Sequence, residues 1–369
     1  MTTGSARVLI IGGRGYLGRR TAQAIARVPG ATVTVGGRSA ASDGAVRVDL
    51  RDYRTFDAMK AFDCVVNCAH SPDAAPDQAL SFCLEEGVPF VETTTEAAVI
   101  QRLYEDHHPS ARGTASAGTV VLGTGLLPGL SNLLASAAVR SVERLPGRLE
   151  VGVRLRPFSG AGAGMCAVMA RMLAVDALRY EGGRLVADSP MQPGPLLPFD
   201  GLGQRSRSMR LSLPEATMLH WSTGVPSTAA YVATIPPLPR VFAALASAAL
   251  APKGAVRRAT ASLARAQLTL LRARFLRDRP TPVDLVALLD RDTGSSAAVP
   301  TLALSVSDGV LAAGYAIAAC VALLLRDGRT ARGCRLPDEL FTLDEVLSEM
   351  RALSRGEFKI QGPTPHLSA

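Results

Sequence analysis

Arg7-Val8-Leu9-Ile10-Ile11-Gly12-Gly13-Arg14-Gly15-Tyr16-Leu17-Gly18 is the stretch whose reading decides the fold. Val8 to Ile11 is a continuous branched aliphatic run, the pattern of a buried strand, and the spacing from Tyr16 to Val28 is that of a helix. Between them Gly13, Gly15 and Gly18 fit G-x-G-x-x-G, and Gly12, Gly15 and Gly18 fit G-x-x-G-x-x-G. Glycines at these spacings allow a tight turn, close approach of the backbone to a pyrophosphate, and close packing of helix on strand. The helix N-terminus then presents free N–H groups and a positive dipole end to the phosphates. Residues Gly12, Gly13, Arg14, Gly15, Tyr16, Leu17 and Gly18 are therefore expected to cradle a dinucleotide.

Outward from this turn, short apolar runs alternate with helical patterns as far as residue 125. Strands are expected at Thr32–Val35, Val46–Val48, Cys64–Val66 and Val88–Val91, and helices at Tyr53–Ala61, Asp77–Glu86 and from Glu96 to about His107. Continuous β-branched runs between helices indicate an α/β domain with a parallel sheet covered on both faces. From about residue 129 the pattern changes. A helix (Leu130–Val142) and a strand (Leu149–Leu155) lead to a proline-rich stretch, 188–239, that suits irregular loops and edge strands. Strand patterns return at Val283–Leu288 and Thr301–Val306, and helices at 310–325 and Thr342–Leu353.

The second strand ends Val35-Gly36-Gly37-Arg38-Ser39, and the first acid after it is Asp43. NAD sites place Asp or Glu there for the ribose 2′-hydroxyl; Arg38, 20 residues after Gly18, suits a 2′-phosphate instead, with Ser39 as a second donor. NADP(H) is the expected cofactor, the alternative being that Arg38 is a solvated loop cation. Asp49 and Leu50 follow the third strand, where Asp49 either touches the adenine or caps the 53–61 helix. Asn67-Cys68-Ala69-His70 ends the fourth strand and is expected along the nicotinamide side. Glu92 and Thr93–Thr95 are candidates to order that loop, with Thr95 alternatively capping the next helix.

For proton transfer the candidates are His70, Tyr231 and His220, the last in an apolar strand-like run beside Trp221. Each has a plain structural alternative, a loop histidine bonded to backbone for His70 and core packing for the other two. No Tyr has Lys four positions on, which argues against short-chain dehydrogenase chemistry.

A chain of 369 residues with 47% hydrophobic and 20% charged residues builds a buried core in two or three domains, or in one domain with a large insertion, and is not a disordered polymer. Lys occurs only at 60, 253 and 359. Six cysteines without a Cys-x-x-Cys pair, and no N-terminal apolar h-region, lead us to expect a reducing, cytoplasmic setting with free thiols. The five histidines lack metal-ligand spacing, so no metal is expected. Val310–Leu325 is 16 residues without a charge, short for a bilayer span and better read as a core helix. Residues 251–280 carry eight basic residues against Asp278, with Leu263, Leu270, Leu271 and Phe275 as an apolar side. Such a segment either covers the second domain or docks an acidic partner or an anionic membrane surface. Nucleic acid is disfavoured because no stacking aromatics are interleaved.

These residues resemble the saccharopine dehydrogenase-like family of NADP-binding oxidoreductases. The resemblance rests on the glycine turn, Val65-Val66-Asn67-Cys68-Ala69, the Cys83 to Glu96 segment, Pro128-Gly129-Leu130-Ser131-Asn132, and Gly333 to Phe341. It is good over 6–140 and 309–352 and poor between, and it departs from the pattern at His70, where relatives commonly carry Gly before a Pro. The fold implied is a Rossmann domain (1–127 plus 309–369) interrupted by a mixed α/β substrate and dimerisation domain (128–308), so a homodimer is also implied. The activity implied is an NADPH-dependent reductase delivering hydride to a C=N or C=C bond. The few charges at 188–239, with Arg205, Arg207 and Arg210 as their one basic cluster, suggest a small or carrier-held, largely apolar substrate. The alternatives are an imine reductase of amino acids or polyamines, and a non-catalytic NADP(H) sensor.

Overall fold

The computed structural model describes residues 5–39, 44–69, 76–110, 117–156, 168–169, 172, 175–199, 205–235, 266, 281–290, 302–327 and 331–365. The chain divides into two compact units, Met1–Leu130 with Val310–Glu357, and Ser131–Gly309 with Phe358–Ala369.

The first unit opens with β1 (Ala6–Ile11), α1 (Tyr16–Ile25), β2 (Ala31–Gly37), β3 (Val46–Arg47), a 3-10 helix (Tyr53–Ala61) and β4 (Cys64–Asn67). It continues with α2 (Asp77–Glu86), β5 (Phe90–Glu92), α3 (Ala97–His107) and β6 (Thr119–Val121). The strands form one parallel sheet in the order β3-β2-β1-β4-β5-β6, with β15 (Gly333–Arg335) added beside β6. The order reverses between β1 and β4, so the loops after these two strands leave in opposite directions and open a crevice at their carboxyl ends. Val8 to Ile11 and all of β4 are buried, as strands covered on both faces must be.

Helix α6 (Gly309–Asp327) is long and apolar enough to cross a membrane by length and composition, yet it is mostly buried and Tyr315 to Leu324 is its continuous buried stretch. Gly314 brings it onto the backbone of Arg20 in α1, where a Cβ would stand 3.1 Å from the Arg20 carbonyl carbon. It is a core helix of this unit. After the short α7 (Pro337–Leu340), α8 (Leu343–Ser354) begins with a capping box: the Thr342 hydroxyl accepts from Glu345 N at 3.3 Å and Glu345 accepts from Thr342 N at 2.8 Å. Its C-terminal carbonyls of Leu353 and Ser354 accept from Arg27 Nη1, and Arg27 Nη2 pairs with Glu357 at 2.8 Å.

The second unit contains α4 (Ser131–Arg140), β7 (Arg148–Leu155), β8 (Ala177–Glu181), β9 (Arg184–Asp188), β10 (Pro193–Pro198) and β11 (Arg205–Met209). Helix α5 (Glu215–Thr223), β12 (Ser227–Thr234), β13 (Val283–Leu289), β14 (Leu302–Val306) and β16 (Ile360–Pro365) follow. Its sheet runs β10-β11-β12-β7-β13-β14-β16, with β12 and β7 parallel, the other pairs antiparallel, and the β8–β9 hairpin joined to β12. Alternation along β12 sends Ala229, Tyr231 and Ala233 to one face with Leu197, Phe199, Val286 and Leu288, and Ala230 and Val232 to the other with Ala216 of α5. The fold is therefore α/β: a doubly wound parallel sheet interrupted by a mixed α/β unit.

Three expectations need correction here. The described part of the 188–239 stretch is not chiefly irregular. Its prolines 193, 195 and 198 do sit on the edge strand β10, but β12 is an interior strand. His220 and Trp221 lie on helix α5 rather than a strand, because Pro214 starts that helix and Gly224, at φ +71°, ends it. The chain after 357 leaves the first unit, and β16 pairs with β14 of the second sheet. The basic 251–280 segment lies outside the described residues apart from Ala266.

Candidate functional site

The carboxyl edge of the first sheet gathers the glycine turn after β1, Arg38 and Ser39 after β2, Asp49 and Leu50 after β3, Asn67–Ala69 after β4, and Glu92–Thr95 after β5. At the turn, Gly15 N donates to Gly12 O at 2.8 Å, and the first main-chain bond of α1 runs from Arg19 N to Gly15 O at 3.0 Å. The amides before Arg19 therefore precede the helical ladder, as expected at an anion-binding N-terminus. No side chain caps α1 at Gly15, and its first turn carries no acid.

Two glycines cannot be replaced at this turn. Gly12 has φ +76°, and a Cβ on it would stand 2.9 Å from both N and Cα of Ala69. A Cβ on Gly18 would stand 2.3 Å from the carbonyl oxygen of Gly12 and 2.7 Å from Cα of Gly13. Helix, turn and the loop after β4 meet backbone to backbone, which fits a diphosphate seated against main-chain amides. Arg14 is exposed at the same turn, with Tyr16 and Leu17 half-buried behind it.

Arg38 and Ser39 are exposed, and among the described residues Arg38 makes no hydrogen bond or salt bridge. Asp49 does not cap the 53–61 helix; Asp52 does, accepting from Arg54 N. Asp49 instead holds Arg51 through Nε and Nη2, both at 3.2 Å. That hydrogen bond is the main cause holding the Asp49 carboxyl below the usual carboxylate range, with the charge of Arg38 a smaller contribution. Leu50, the next residue, is buried. Among the described residues, the end of β2 therefore offers the exposed guanidinium of Arg38 and no acid.

At the other side of the switch point Asn67 is fully buried, and both its amide oxygen and its amide nitrogen are hydrogen-bonded. Its Oδ1 accepts from Ala69 N at 3.0 Å and its Nδ2 donates to Glu92 Oε2 at 2.8 Å. The other oxygen of Glu92 accepts from Thr94 N at 2.8 Å. Thr93 Oγ1 donates to Asn67 O, and Thr124 N donates to Glu92 O, so the ends of β4, β5 and β6 are tied together. Burial pushes the Glu92 carboxyl up to about 8, against the pull of the Asn67 and Thr94 donors. Cys68 is buried against Thr21, and desolvation pushes its thiol up to about 12, so it is no nucleophile at neutral pH. Thr95 does not cap α3, whose N-cap is Glu96, and the Thr95 hydroxyl has no hydrogen-bond partner among the described residues.

His70 lies outside the described residues. Tyr231 and His220 both lie in the second unit and are held by packing. Tyr231 is buried in the sheet, its hydroxyl 3.4 Å from Glu150 Oε1 and its ring beneath Arg210, which also donates to Asp188. His220 stacks on Tyr180 at 3.6 Å between ring centroids, and its Nδ1 lies 2.8 Å from Val225 O.

Sequence reading missed Glu215. It opens α5, is fully buried, and accepts from the Ser131 hydroxyl of α4 at 3.1 Å, while its Oε2 has no hydrogen-bond partner among the described residues. Burial pushes this carboxyl up to about 7. The one available signal was Pro214 before an acid at a helix start; the partner Ser131, 84 residues earlier, is invisible in sequence. Among the described residues no group of His, Cys, Asp or Glu could hold a metal ion.

Comparison with known proteins then places the architecture. The chain is similar to the apo saccharopine dehydrogenase (L-Glu forming) of Saccharomyces cerevisiae, with a TM-score of 0.58 and 12% identity over 96% of this chain and 99% of that one. The chain has the saccharopine dehydrogenase fold. Looser likenesses are to the C. glutamicum DAP dehydrogenase (TM-score 0.46, 13% identity, 93% of this chain and 98% of that one) and an amine dehydrogenase from Mycobacterium smegmatis (0.43, 10%, 91% and 96%). No family model matches the chain, and no curated protein matches it in sequence.

Proposed function

We propose that this saccharopine dehydrogenase-fold protein is an NADP(H)-dependent oxidoreductase that exchanges a hydride with a C=N or C=C bond of a small or carrier-held, largely apolar substrate. The observation that carries the reading is the meeting of the Gly12–Gly18 turn, the start of α1 and the Asn67–Ala69 loop at the carboxyl edge of the parallel sheet. In this reading the turn amides and Arg14 hold the diphosphate, Arg38 and Ser39 hold the 2′-phosphate, and Leu50 backs the adenine. Asn67, Cys68 and Ala69 line the nicotinamide side, and the bound dinucleotide supplies or accepts the hydride. The protein's own work is orientation and exclusion of water.

With Tyr231 and His220 committed to packing, His70 is the sequence candidate left to serve a C=C substrate, where a donor must meet the developing charge, whereas an iminium needs no acid at the moment it receives hydride. Titration of protein fluorescence or of NADPH emission tests the cofactor. Wild type is expected to bind NADPH at least tenfold more tightly than NADH, and Arg38→Ala to remove that preference while leaving NADH affinity nearly unchanged. Equal losses for the two nucleotides would remove the 2′-phosphate assignment, and no binding of either would end the reading.

A further inference from the structure

The buried polar groups at the first sheet's carboxyl edge form a chain with a fixed direction. We infer that Glu92 and Asn67 act as a pair of positioning residues for the nucleotide, setting the Ala69 backbone against Gly12 and so holding the phosphate turn in its binding shape. The inference rests on the dinucleotide reading above and goes beyond it, since neither side chain needs to touch the ligand.

Hydrogen-bond polarity carries the argument. Ala69 N can only donate, so the Asn67 atom facing it at 3.0 Å is the carbonyl oxygen, which aims the amide NH2 at Glu92. Thr94 N can also only donate, and it takes the other carboxyl oxygen at 2.8 Å. Residue 92 must therefore accept at both positions, and residue 67 must accept on one side and donate on the other. The output of the chain is the position of Ala69, whose N and Cα lie 2.9 Å from where a Gly12 Cβ would be. Gly12 in turn is tied by its N–H to Gly36 O at 2.9 Å, and its carbonyl receives Gly15 N. Both side chains are buried, so water does not substitute for a lost partner.

This polarity makes a swap test possible. Glu92→Gln puts an NH2 against either Thr94 N or the Asn67 NH2, and rotating the Asn67 amide only moves the clash of donors to Ala69 N. Asn67→Asp alone places two carboxyls face to face, which one shared proton bridges at low pH, so the loss this variant causes grows as pH rises and that proton leaves. Together, however, Asn67→Asp and Glu92→Gln rebuild a complete chain. The new amide at position 92 accepts from Thr94 N and donates to the new carboxylate at position 67, which accepts from Ala69 N, with the same single buried carboxyl as before. NADPH titrations on the full chain should show each single variant weakened tenfold or more and the double variant restored to within about threefold of wild type, with thermal unfolding followed in parallel. Singles that bind NADPH as wild type does, or a double variant that binds or folds no better than the singles, would overturn the inference. So would singles whose folded fraction keeps its affinity while only thermal stability falls. Failure of the wild type itself to bind NADPH would instead overturn the cofactor reading on which the pair depends.

Discussion

Replacing Glu215 by Gln turns the buried carboxyl between α4 and α5 into a test of how burial sets the pH response of the second unit. In the unfolded chain this carboxyl titrates near 4.5; in the fold, burial raises it to about 7, with its own backbone N–H and the Ser131 hydroxyl pulling only part of the way back. Between these values the folded protein holds a proton that the unfolded chain has lost. Stability from this group is therefore complete below pH 4.5, falls as pH rises, and levels off above about 7. A displacement of this size corresponds to about 3 kcal/mol at 1.36 kcal/mol per unit. Gln keeps the oxygen that accepts from Ser131 and cannot ionise, so the variant escapes that loss. Trp221, the chain's single tryptophan, lies on the same helix and reports its unfolding directly. Urea unfolding followed by tryptophan emission should find variant and wild type within about 1 kcal/mol at pH 5, and the variant more stable by roughly 2–3 kcal/mol at pH 8.5. A difference that stays constant from pH 5 to 8.5 would refute the assignment of the proton to Glu215.

Three further outcomes are expected. Gly18→Ala, whose Cβ would stand 2.3 Å from Gly12 O, should abolish NADPH binding in fluorescence titration and lower stability by roughly 1–3 kcal/mol, since neither backbone can give way. Thr342→Ala removes the capping box of α8 and should cost about 1 kcal/mol in urea unfolding, with nucleotide affinity untouched. His70→Ala should leave turnover of a preformed imine within about threefold while lowering reduction of an enone by on the order of a hundredfold; stopped-flow loss of NADPH absorbance separates the two substrates, and equal effects on both would remove His70 as the acid.

The first sheet was legible because its signals are local. Val8–Ile11 and Cys64–Val66 are short β-branched or aliphatic runs, and a parallel sheet buried on both faces needs nothing else from a strand. The glycine turn was legible for the same reason: the left-handed backbone at Gly12 and the contact at Gly18 both demand a missing Cβ, so the requirement is written as residue identity. The second sheet was less legible because its order is set by non-local pairing. Nothing within Ser227–Thr234 says that it lies between β11 and β7, or that the chain's last strand will return to β14. At α5 the error was one of weighting. The apolar run around His220 and Trp221 suggests a strand, while the stronger signals are Pro214 and Gly224 at the two ends.

The polar groups divide along the same line. Arg38 could be given an expected role from sequence because a glycine-turn sheet of this kind has one position, the end of β2, where an acid or a base bears on the expected ribose. The proton donors could not, because a Tyr or His earns a chemical role only from its neighbours, and the neighbours of Tyr231 and His220 are Glu150 and Val225, each brought in by a different strand or turn. Glu92 shows the difference most directly. In sequence it is one acid at the end of a strand; in the fold its two oxygens fix the direction of the Asn67 amide, and that direction fixes Ala69 on Gly12. The turn that sequence identifies by its missing side chains thus packs on a loop whose Ala69 amide is held by a side chain from β4 and, through it, by one from β5.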